Sequence, residues 1–89
     1  MAYLHEQLTG SVIEAYYAVY NGLGYGFLEN VYEVAMMVEL GERRLNAQRQ
    51  CPIKVQYHQQ IIGNYRADII VEGRILLEIK AANRQVARQ

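Results

Sequence analysis

Two carboxylates and an ammonium stand close together near the C-terminal end of this chain. They are Asp68, Glu78 and Lys80, within YRADIIVEGRILLEIKA, residues 65–81. Glu78 and Lys80 are two positions apart, so on a strand they share a face, roughly 7 Å apart along it. Whether Asp68 shares that face depends on the intervening turn. A two-residue loop of Glu72 and Gly73 pairs Val71 with Arg74 and sets Asp68 opposite Leu77, on the wrong face. A three-residue loop, Val71–Glu72–Gly73 with Gly73 left-handed, pairs Ile70 with Arg74 and sets Asp68 opposite Leu76, on the right one. Glycine in third place suits the second loop. Two carboxylates ~5 Å apart, at an effective dielectric of about 20, repel by roughly 3 kcal/mol. A divalent cation relieves that repulsion, and oxygen-only ligands favour Mg²⁺ or Mn²⁺ over zinc. A lysine beside such a cation orients a water or offsets charge on a phosphate. The competing reading is a solvated edge strand on which Lys80 pairs with Glu78, because D…ExK is a short and common pattern.

Glu29 is the other candidate. It lies in one helical row with Tyr32, Met36 and Leu40. It also sits near a helix N-terminus, where the helix dipole alone favours a carboxylate. Gly22, Gly24 and Gly26 of GLGYG imitate a nucleotide-binding loop, but they follow a helix and lack a Walker lysine, so a helix–helix turn is the better reading. His5 and His58 have no second ligand at metal spacing, and His58 reads as a turn residue. Cys51 has no nearby base in sequence and reads as an inert thiol. The eight tyrosines fall mostly on apolar stripes and read as core, with base stacking as the alternative for some.

The elements that must position these residues follow from periodicity. A first helix is expected over about Ala2–Tyr20, with Leu4, Leu8, Val12 and Tyr16 as its stripe and Ile13, Val19 and Tyr20 beside it. NGLGYG, residues 21–26, ends it. A second helix is expected from Phe27 to about Ala47, with Leu28, Val31, Ala35 and Val38 facing inward. Pro52 marks the change to a period of two. Ile53, Val55 and Tyr57 alternate with Lys54, Gln56 and His58 in a first strand, and residues 58–60 turn. Ile61–Val71 and Arg74–Ala81 form the next two strands. The tail NRQVARQ is polar and short. The order is α+β: two helices, then three antiparallel strands.

Composition narrows the class. The chain has 89 residues and is expected to form one domain with a modest core. Apolar residues make up 52%, which excludes a disordered, highly charged chain. Nine basic and nine acidic residues balance, so net charge gives no drive toward nucleic acid, although Arg84 and Arg88 would suit a local basic groove. The single cysteine cannot form an internal disulfide, which fits a cytoplasmic location. No apolar run is long enough to span a membrane, and the N-terminus does not read as a signal peptide.

LGYGFLENVYEVA followed by IGNYRADIIVEGRILLEIKA resembles the GxxExxY protein family, whose naming motif is met by Gly26, Glu29 and Tyr32. That family is placed in the PD-(D/E)XK nuclease-like superfamily. The resemblance implies a restriction-endonuclease-like core. It implies Asp68 and Glu78 as metal-binding acids, Lys80 as the catalytic lysine, Glu29 as an added helical ligand and the backbone carbonyl of Ile79 as a further one. The implied reaction is Mg²⁺- or Mn²⁺-dependent hydrolysis of a phosphodiester in DNA or RNA. The alternative is a non-catalytic nuclease-like module that binds nucleic acid or a protein. Related chains continue past Ala81 into a helix and a strand, so this domain is expected to be truncated at its C-terminus. A homodimer or other self-association is then expected to cover the incomplete sheet.

Overall fold

The computed structural model describes residues 6–82. Its elements are α1 (Glu6–Leu23), α2 (Glu29–Glu42), β1 (Ala47–Tyr57), β2 (Gln60–Val71) and β3 (Ile75–Leu77). The start expected for the first helix, and Arg84 and Arg88 with the rest of the tail, lie outside the described residues. Among the described residues, no helix is long and apolar enough to cross a membrane.

Helix α1 buries Val12, Ala15 and Val19, with Leu8 packed beside them. Those positions advance by alternating steps of four and three, which holds them on one side of a helix turning 3.6 residues at a time. The row Leu8, Val12, Tyr16 advances by four each time and drifts around the helix. Tyr16 therefore ends 39% exposed. Helix α2 also presents a different face from the expected one. Tyr32, Met36 and Leu40 are fully buried, while Val34 and Val38 face solvent. The two rows are similarly apolar, and polar partners on the Tyr32 side decide between them. The Tyr32 hydroxyl donates to the Gly24 carbonyl at 2.8 Å. Glu33 on the same side accepts from Arg49 and Gln50 of β1.

The second helix stops at Glu42, about a turn before the expected Ala47. Arg44 adopts a left-handed conformation (φ 62°), its N–H bonds to the Gly41 carbonyl, and the Leu45 N–H bonds back to the Leu40 carbonyl, each at 2.9 Å. This is a Schellman stop with arginine in the place usually held by glycine. Leu45 packs against the core, which offsets the unfavourable φ. The chain then enters β1 at Ala47, so Pro52 lies inside the strand rather than at its start. Proline is tolerated there because β1 is an edge strand and no ladder bond is asked of its nitrogen on the open side.

The sheet order is β1-β2-β3, antiparallel throughout. His58 and Gln59 both take positive φ and close the β1–β2 hairpin in the expected turn, with Tyr57 paired to Gln60. The helices cover only one end of this hairpin. Ala67, Ile69 and Val71 are fully buried beneath them, and Ile79 is 2% exposed. Val55, Tyr57, Ile61, Ile62 and Tyr65 toward the far end are exposed.

Candidate active site

Asp68 lies between Ala67 and Ile69, whose side chains are fully buried under the helices. Strand alternation sends the Asp68 side chain to the opposite face, with Ile70. Pairing of Ile70 with Leu76 puts Leu76 on that face as well. Beyond it Glu78 is exposed, Ile79 buried and Lys80 exposed, so the same alternation continues past the end of β3. The structure therefore brings Asp68, Glu78 and Lys80 to one side of the sheet.

The turn that does so differs from the expected one. Val71 pairs with Ile75, and Glu72 and Gly73 both take positive φ (54° and 65°) under a bond from the Arg74 N–H to the Val71 carbonyl. Arg74 is an extra residue before pairing resumes. The partner of Ile70 is thus Leu76 instead of Arg74. A shift of two residues preserves the face, whereas a shift of one would have reversed it. Asn46 fixes this turn from the other side: its N–H donates to the Glu72 carboxylate (2.7 Å) and its carbonyl accepts from the Glu72 N–H (2.6 Å).

Asp68 is also part of the framework. Its Oδ2 accepts the backbone N–H of Ile79 at 2.7 Å. A side-chain carboxylate thereby takes an amide that a longer β3 would have given to the ladder, and pairing ends at Leu77 instead of the expected Ala81. The bond is charge-assisted and satisfies the N–H of a buried residue. Lys80 is held by its main chain. Its carbonyl accepts from the Tyr20 hydroxyl (2.5 Å), and the neighbouring Ala82 carbonyl accepts from the Gly26 N–H (3.0 Å). Among the described residues, no ion pair joins Lys80 to Glu78 or Asp68.

A family model described as the PD-(D/E)XK nuclease superfamily matches residues 6–89. The chain belongs to that superfamily. No curated protein and no solved structure matches it. The two helices followed by a three-stranded antiparallel sheet are those of a PD-(D/E)XK nuclease-like core. Nucleases of this superfamily generally use divalent metal ions.

The donors of this PD-(D/E)XK chain can be tested against such an ion. Asp68 has one oxygen engaged by Ile79 and a second, Oδ1, without a hydrogen bond among the described residues, and Glu78 is exposed on the same face. Both are hard oxygen donors of the kind Mg²⁺ and Mn²⁺ prefer. Among the described residues, no three His, Cys, Asp or Glu side chains gather closely enough to hold a metal. Glu29 therefore does not complete a carboxylate triad here. It is exposed at the first turn of α2, near enough to Tyr20 to act on its charge.

The Tyr20 phenol is pushed up to about 12, chiefly by burial, with Tyr16, Tyr32 and Glu29 adding to the effect. It keeps its proton, and so its bond to Lys80, at any neutral pH. A Tyr20 ring stacked on Tyr32 (4.6 Å, 6° between planes) fixes the hydroxyl's reach. The sequence placed Tyr20 only beside a core stripe, and nothing in its spacing announced a partner 60 residues away. Glu33 was not foreseen either. It is 6% exposed and accepts from Arg49 Nε (2.8 Å) and from Gln50 Nε2 (3.0 Å). Gln50 takes positive φ (52°), and regular pairing skips it opposite Asp68. The sequence carries little signal for this cluster, because its partners sit on different elements, Glu33 on α2 and Arg49 and Gln50 on β1. Cys51, half-buried with its Sγ 3.8 Å from Gln48 Oε1 and the Arg49 carbonyl, has no base beside it among these contacts.

Proposed function

We propose that the chain is a nuclease dependent on a divalent cation, Mg²⁺ or Mn²⁺, that hydrolyses phosphodiester bonds in DNA or RNA. The observation that carries this reading is the convergence of Asp68, Glu78 and Lys80 on one face of the sheet, Lys80 having no ion pair among the described residues, in a chain of the PD-(D/E)XK superfamily. Folding accounts for Asp68 through its bond to Ile79, but gives no reason to set Glu78 and Lys80 beside it with no ion pair among the described residues. Asp68 Oδ1 and the Glu78 carboxylate would hold the cation, with the Ile79 carbonyl as a backbone ligand and Glu29 joining through a water. The bound cation polarises a phosphate oxygen and lowers the pKa of a coordinated water. Lys80 orients the attacking water or offsets negative charge on the phosphate. Tyr20 and Gly26 position Lys80 by gripping the main chain at residues 80 and 82.

The test is cleavage of end-labelled single- and double-stranded DNA and RNA in Mg²⁺ and Mn²⁺. Wild type is expected to cut, and Asp68→Asn and Lys80→Ala are expected to reduce cutting to background. Cutting that survives both substitutions would exclude this site. A second reading, binding without cleavage, draws on the lack of a third carboxylate beside the pair among the described residues. Retention of oligonucleotides by wild type with no cleavage in either metal would favour it.

A further inference from the structure

A cleft of about 500 Å³ opens beside Lys80, lined by Tyr16, Tyr17, Tyr20 and Tyr25, with Asn21 and Lys80 among the other wall residues. We propose that this cleft is a stacking subsite for a nucleobase of a single-stranded nucleic acid, one nucleotide away from the phosphate at Lys80. The proposal rests on the nuclease reading and gives it a substrate form.

Five observations point to a base. The wall is aromatic rather than aliphatic, and its rings form a series. Tyr32 stacks on Tyr20, and Tyr20 lies 4.4 Å from Tyr16 at 39°. Two of those rings are anchored by their hydroxyls, Tyr20 to the Lys80 carbonyl and Tyr32 to the Gly24 carbonyl, so the series is rigid before any ligand arrives. Tyr16 and Tyr17 are 39% and 59% exposed, so planar surface is available at the outer end of the series. Among the described residues the lining carries a cation and no carboxylate, which suits the sugar-phosphate backbone that follows a base. The volume lies in the range that accepts compact planar ligands.

Stacking on tyrosine is tolerant of base identity, because every base has a π-face. It also requires a base with a free face. A base inside a duplex has both faces covered and must be extruded first. The cleft therefore selects single strands, overhangs or flipped nucleotides over intact duplex. Lys80 belongs to both the cleft and the candidate site, so a seated base sets the position of its neighbouring phosphate. The zero net charge of the chain is no obstacle, since the contact depends on rings rather than on net charge.

The experiment is fluorescence anisotropy of a labelled hexanucleotide, measured with the full chain in Ca²⁺ and again in EDTA. Single-stranded oligonucleotide is expected to bind more tightly than blunt duplex. Tyr16→Ala and Tyr17→Ala are each expected to weaken single-strand binding about ten-fold, and the Phe variants to restore it. Replacing single bases by abasic sites should, at one position, cost a similar factor and make the Tyr17→Ala loss disappear. Tyr57→Ala at the far hairpin tip is the control and should bind as wild type. Unchanged affinity in both alanine variants overturns the subsite. So does a loss that persists in full on every abasic strand, or a large fall in melting temperature with affinity intact, which would mark the rings as packing only. The two readings fail separately. Base-dependent binding by a wild type that cuts nothing keeps the subsite and removes the nuclease. Cleavage unaffected by the tyrosine substitutions does the reverse.

Discussion

Asp68 has one observed duty and one proposed, and two substitutions can separate them. As the proposed ligand it would contribute charge, and as framework it accepts the N–H of Ile79, a residue 2% exposed. Asp68→Ala removes both and leaves a buried amide without its acceptor. An unmade bond of that kind costs about 1–3 kcal/mol. In a domain of this size each kcal/mol moves the melting temperature by about 4–8 °C, so a fall of about 10 °C is expected. Asp68→Asn keeps an oxygen at the same reach and loses only the charge assistance. It should fall by no more than a few degrees. The assay is thermal melting by circular dichroism in EDTA, repeated with Mn²⁺. In EDTA the two variants should differ by the amount above. With Mn²⁺, wild type should gain stability by mass action and neither variant should. If Asn and Ala fall equally in EDTA, the carboxamide oxygen does not replace the carboxylate and the bond to Ile79 is not what Asp68 contributes. If neither falls, the reasoning from the buried amide is wrong.

Other perturbations probe the supports. Arg49→Ala leaves the Glu33 carboxylate, whose side chain is 8% exposed, with Gln50 as its remaining partner, and should cost about 1–3 kcal/mol in urea melts. Glu33→Gln should cost less, because Arg49 is 43% exposed and can turn to water. Tyr20→Phe removes the bond to the Lys80 carbonyl and should cost about 0.5–1.5 kcal/mol below pH 10. Because the Tyr20 phenol is raised from 10.0 to about 12, its contribution is complete below pH 10 and is lost as pH rises toward 12. The difference between wild type and Tyr20→Phe should therefore shrink over that interval in a pH series of melts. Gly26→Ala places a side chain at φ 106° and should lower the melting temperature by several degrees, a loss that Gly10→Ala in α1 should not show.

The common face of the three candidate residues was legible because strand parity is a coarse variable. The even shift between the expected and observed hairpin registers moved Ile70's partner by two residues and left Asp68, Glu78 and Lys80 on one face. Family resemblance then supplied roles that spacing alone could not. Helix ends were less legible. Arg44 at positive φ breaks the usual glycine signal, so the sequence extends the second helix to about Ala47, where β1 already begins. The choice of buried face on α2 was decided by hydrogen bonds across the fold, from Tyr32 to Gly24 and from Arg49 and Gln50 to Glu33. Local periodicity carries no record of such partners. Tyr20 belongs to the same class, since its partner lies 60 residues along the chain, beyond the end of β3.

The three candidate residues are not equally replaceable. Glu78 and Lys80 present side chains on the segment beyond β3, whose main chain is gripped elsewhere, by Tyr20 and Gly26. Exchanging either side chain changes the chemistry and leaves the scaffold standing. Asp68 is joined to the scaffold through its own carboxylate. A lineage that no longer needed catalysis would be free to drift at Glu78 and Lys80 first, while selection for folding alone would hold an acceptor at Asp68. In descendants of such a fold, a surviving aspartate at this position is a weaker sign of activity than a surviving lysine.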